Sequence, residues 1–109
     1  MVIWHNTPDA SRIPQVAVAG ERISLWIGTY PIEPGQSVWV EVTVRKQDGS
    51  ELASKQSATW HSNDEPRHNS YWVAHVGPFE SLDRVEYSVC GRIGDQEVAD
   101  SNKYEFEVN

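Results

Sequence analysis

Cysteine is nearly absent from this chain. Cys90 stands alone among 109 residues, which excludes an internal disulfide and a cysteine-based zinc cage. A lone thiol points to a reducing, cytoplasmic compartment, although a disulfide-free domain also survives outside the cell. Basic residues are scarce too: nine Lys and Arg against sixteen Asp and Glu leave a formal charge of −7. Residues 80–109 hold eight of those acids and only three of the bases. Nucleic acid and anionic membrane surfaces are therefore not expected partners, since both are held by Lys and Arg meeting phosphate. No apolar run reaches membrane-spanning length, and no charged-then-apolar signal segment opens the chain, so a soluble protein is expected. A 3.6-residue apolar period is missing throughout, which argues against helices. The length suits one domain, residues 1–109, with a single core.

What the chain does have is period-two alternation. Across Ser37–Lys46 the residues Val38, Val40, Val42 and Val44 fall on one side, while Trp39, Glu41, Thr43 and Arg45 fall on the other. That is a strand with one buried and one wet face, and the Asp48-Gly49 pair after it signals a turn. Arg22–Tyr30, Ser70–Val76, Asp83–Ile93 and Lys103–Val108 repeat the pattern, with short strands expected near Val2–Trp4, Ile13–Val18 and within Glu51–Trp60. The polar run His61–Asn69 reads as an exposed loop. Turn signals every ten residues or so predict an all-β, immunoglobulin-like antiparallel β-sandwich of about seven strands in two sheets. Chain order puts the N-terminal, Arg22 and Ser70 strands in one sheet and the Ser37, Asp83 and Lys103 strands in the other. Leu82–Tyr87 is similar to the tyrosine corner of such sandwiches, in which the hydroxyl bonds back to upstream backbone.

Catalytic signatures are missing. There is no Gly-x-Ser-x-Gly, no phosphate-cradling glycine loop and no His-Glu-x-x-His, so no enzymatic activity and no cofactor is expected. His61, Asp64, Glu65 and His68 could be considered as metal ligands, but the spacing is weak and a solvated loop is the better reading. Five Trp in 109 residues is a heavy load. Trp72 shares a side with Ala74 and Val76 and is expected in the core. Trp26 shares its side with Ser24, Gly28 and Tyr30, and Trp39 sits among Glu41, Thr43 and Arg45. Soluble proteins rarely leave large rings on a wet face unused. Trp26, Tyr30, Trp60 and Tyr71 are the expected ligand-binding platform, near His75, with Trp39 an outlying candidate on the opposite face. Rings with hydrogen-bonding neighbours suit sugars, whose apolar face stacks while the hydroxyls pair. The same rings also suit a protein interface, including a homodimer.

Two stretches carry a family resemblance. Tyr71-Trp72-Val73-Ala74, then Arg84-Val85-Glu86-Tyr87 and the Gly94-Asp95 hairpin, resemble the immunoglobulin-like N-terminal modules of amylolytic enzymes such as neopullulanase and maltogenic amylase. The resemblance covers about the last forty residues. It implies an accessory module that binds α-glucan oligosaccharide or packs against a neighbouring catalytic domain, and is not itself the catalyst.

Overall fold

The computed structural model describes residues 1–109. The alternating segments form two facing antiparallel sheets, with ten strands in all: β1 (Val2–Trp4), β2 (Arg12–Ile13), β3 (Ile23–Tyr30), β4 (Gln36–Arg45), β5 (Glu51–Ser57), β6 (Thr59–Asp64), β7 (Asn69–Val76), β8 (Arg84–Ile93), β9 (Gln96–Ala99) and β10 (Tyr104–Glu107). The first sheet runs β1-β3-β7-β6, with β2 also pairing β3. The second runs β10-β8-β4-β5, with β9 also pairing β8. The sheet membership expected from chain order is the one observed. The strand expected at Ile13–Val18 shrinks to Arg12–Ile13, ended by Pro14, which has no N–H to donate. Strand number still exceeds the expected seven because β9 adds a short strand after the Gly94-Asp95 turn and Glu51–Asp64 splits in two. Its halves join different sheets, switching at Ala58, whose N–H bonds the Val38 carbonyl at 2.9 Å.

Alternation in β4 does what the sequence says: all four valines are buried, at 0–9% exposure. They face Ile23, Leu25 and Ile27 of β3, with Ala74, Val76, Val85, Tyr87 and Val89 completing the core. Below the core, Asp83 is a buried carboxylate that accepts hydrogen bonds from Lys46 Nζ at 2.9 Å and the Glu80 N–H at 3.0 Å. Burial pushes its carboxyl upward, but those two donors outweigh burial and hold it below the usual range.

Three further expectations are corrected. His61–Asp64 belongs to β6 and Asn69 opens β7, so the polar loop shrinks to a 3₁₀ turn at Glu65–Arg67 plus His68. An edge strand needs no apolar alternation when most of its residues are wet. Tyr87 makes no tyrosine corner, because its hydroxyl meets the buried ring of His5, 82 residues upstream, at 2.8 Å. Trp72 packs against the core yet stays half-buried, since it lies opposite Trp60 on the first sheet's edge strand.

Candidate functional site

Register decides which rings share a face, because residues directly opposite in an antiparallel pair point the same way. In the first sheet Trp26 pairs with Val73, Gly28 with Tyr71 and Ser24 with His75, while Trp4 pairs with Gly28 and Val2 with Tyr30. Trp4, Trp26, Tyr30, Tyr71 and His75 therefore sit on one outer face. Along β3 they recur every second residue, so the row from Trp26 past Trp4 to Tyr30 spans about 13 Å.

Each ring has a local reason for its pose. Trp4 lies flat over Gly28: a Cβ placed there would stand 2.2 Å from Trp4 Cε2. Only glycine leaves room for the indole to lie on the strand. Tyr71 meets Trp4 edge-on, with ring centroids 6.4 Å apart, and its hydroxyl donates to Asp9 Oδ2 at 2.6 Å. Thr7 donates to the other oxygen of Asp9 at 2.6 Å. Those two bonds, Thr7 first, hold the Asp9 carboxyl below its usual range, and the bond to Asp9 pushes the Tyr71 phenol up. Trp26 packs edge-on against His61 at 4.5 Å, which reaches this face through a bulge between Trp60 and Ser62. Tyr30 lies 6.1 Å from His68. Ser24 Oγ and His75 Nδ1 are 3.1 Å apart.

Beneath this face, His5 anchors β1. It is buried, although its place just after a three-residue strand gives no sign of burial in the sequence. Its Nδ1 donates to the Trp26 carbonyl at 2.6 Å, so the unprotonated Nε2 accepts from Tyr87 Oη at 2.8 Å. Tyr104 stacks edge-on at 5.0 Å and donates to the His5 carbonyl at 3.2 Å and to Asp100. Burial lowers the His5 pKa below 6.5, only partly opposed by the bond to Trp26 and the charge of Asp100. Desolvation, with the Asp100 bond next, pushes the Tyr104 phenol up to about 12. One neutral imidazole thus ties the strand bearing Trp4 to the second sheet.

The expected platform is assembled in part. Trp26, Tyr30 and Tyr71 come together, joined by Trp4, whose role becomes visible only once β1 is laid against Gly28. Trp60 does not join them. It pairs with Trp72, which pairs with Ile27, so it faces the inner side at the sandwich edge. Trp39 remains on the second sheet's outer face, beside Cys90 and under Lys55 Nζ at 5.8 Å from its ring centroid. The four candidate metal ligands diverge. His61 turns to Trp26 and Ser62, Asp64 pairs with Arg67 at 3.0 Å, and His68 turns to Tyr30. No three His, Cys, Asp or Glu side chains are placed to hold one ion.

No sequence family model matches the chain. Over 80 residues, 73% of its length, it is 35% identical to an isomaltosyltransferase of Sporosarcina globispora, of which the match is 7%. It superposes over 99% of its length on a cycloalternan-forming enzyme of Listeria monocytogenes in complex with a pentasaccharide substrate (30% identity, TM-score 0.83). A second structure from that organism, in complex with α-D-glucose, β-D-glucose, magnesium and calcium, matches at 30% identity and TM-score 0.84. In each structure the chain spans 10% of the whole. The chain is thus similar to a small β domain of carbohydrate-active enzymes.

Proposed function

We propose that this chain is a non-catalytic accessory module of a carbohydrate-active protein, and that the outer face of its first sheet binds α-glucan oligosaccharide. The row of Trp26, Trp4, Tyr71 and Tyr30 supports this most directly. Flat apolar rings at two-residue steps suit successive sugar rings, and Asp9, His61, Ser24 and His75 offer donors and acceptors to the hydroxyls. The names of the similar enzymes agree with a sugar-related role, and the resemblance to the modules of amylolytic enzymes narrows it to α-glucan. A share of one tenth or less of each relative fits an accessory part. No nucleophile or acid–base pair converges on this face.

Titrating the 109-residue chain with maltooligosaccharides while following Trp fluorescence is the test. Saturable quenching that weakens in Trp26→Ala and Tyr71→Ala is expected. Unchanged fluorescence at millimolar sugar refutes the reading. A second reading draws on the same one-tenth share: the rings pack against a neighbouring catalytic domain, or against a second copy of this chain. Self-association in light scattering without sugar binding selects that reading.

A further inference from the structure

We propose that the cleft between β6 and the β3–β4 connection is a separate binding site that takes one neutral hexose unit of an oligosaccharide. Its argument is independent of the outer face, from which the body of the first sheet divides it. Trp60 is 55% exposed, yet it is not free to swing. Its Nε1 donates to Asn63 Oδ1 at 2.9 Å, across the bulge that turns His61 to the other side. Ser70 Oγ, itself buried, donates to the same oxygen at 2.8 Å. Two donors on one oxygen fix the Asn63 amide, with Nδ2 left over as a donor. An exposed indole held by its own N–H offers a ring face already in position, so little side-chain entropy is lost on stacking.

Trp72 forms the floor, held in turn by its Nε1 bond to Thr29 Oγ1 at 2.9 Å. The opposite wall is Glu33, Pro34, Gly35 and Gln36, and the open volume is about 310 Å³. That is near the lower bound of ligand-sized clefts, enough for a ring and not for a long chain. Gln36 spends one Nε2 hydrogen on the Pro31 carbonyl at 2.9 Å, which leaves the other as a donor and Oε1 as an acceptor. Glu33 makes no ion pair and supplies carboxylate acceptors. The cleft therefore presents two indoles, amide donors on Asn63 and Gln36 and several acceptors, with no Lys, Arg or His among its lining residues. A neutral polyhydroxylated ring meets that set. An acidic sugar or a phosphate meets Glu33 with no cation to offset it.

The test follows the five indole N–H signals of the 109-residue chain by NMR during titration with maltotriose, and separately with glucuronic acid. We expect the Trp60 and Trp72 signals to move saturably with maltotriose and not with glucuronic acid. Trp60→Ala, at an exposed position, weakens this binding at least tenfold, while the remaining indole signals report that the fold is kept. Asn63→Ala unlocks the indole and weakens it by a smaller factor. Trp26→Ala leaves the Trp60 response unchanged. A silent Trp60 signal, unaltered affinity in Trp60→Ala, or equal binding of glucuronic acid overturns the proposal. If Trp26 responds and Trp60 does not, the outer-face reading survives and this one falls; the converse pattern does the reverse.

Discussion

Gly28→Ala gives the sharpest check on how the outer face is built. The added methyl would stand 2.2–2.5 Å from Cε2, Cζ2 and Nε1 of Trp4. Ordinary contact between such atoms is about 3.5–4.0 Å, so the indole must retreat by about 1.3 Å or more. Overpacking of this kind costs about 1–3 kcal/mol. Restricting the unfolded chain returns about 0.4–1 kcal/mol, leaving a net loss of up to about 2.6 kcal/mol. With an unfolding entropy of about 0.23 kcal/mol/K for 109 residues, Tm falls by up to about 11 °C. Trp4→Ala removes the obstacle, and in that background Gly28→Ala should become stabilising by about 0.4–1 kcal/mol. Thermal melts of the four proteins, read by circular dichroism, complete the cycle. The same sign for Gly28→Ala in both backgrounds refutes the placement of Trp4 on that strand.

Four further outcomes follow from the buried groups. Because the folded chain resists protonating His5, stability should begin to fall as pH drops below about 6.5 and continue to the lowered folded value; urea midpoints of His5→Gln should be flatter across that window. Tyr87→Phe strips the donor from His5 Nε2 and costs about 1–3 kcal/mol near neutral pH, measured by urea unfolding. Asp83→Ala, which leaves Lys46 and the Glu80 N–H without their shared acceptor, should lower Tm more than Arg45→Ala, which breaks only the exposed pair with Glu51. Cys90 is buried and its thiol is pushed up by burial and by Glu41, so a thiol reagent should modify the folded chain slowly and urea should accelerate it.

The fold was legible because its core is written in period two: Val38 to Val44, Ile23 to Ile27 and Val85 to Val89 each bury one side. The site was legible only where the same rule applies. Trp26, Tyr30 and Tyr71 lie on long strands whose inner side is plainly apolar, so their outward direction could be read directly. Trp4 could not, since three residues show no alternation and its seat is made by a glycine 24 positions away. His5 was hidden for the same reason, its partners being a carbonyl on β3 and a phenol on β8. Trp60 was misdirected because its side is set by pairing with Trp72 and by the bulge after it, and neither leaves a mark on composition. The His61–Asn69 stretch looked like loop because the edge strand it completes is wet along most of its length.

That bulge also governs how the molecule meets its neighbours. A regular border strand is a template on which a further strand can be laid, main chain to main chain. Where His61 is extruded, the spacing of free amides along β6 falls out of step, and the 3₁₀ turn at Glu65–Arg67 closes the strand soon after. Lamination along this border is therefore disfavoured, so association there is expected to proceed through side chains rather than by another copy docking edge to edge.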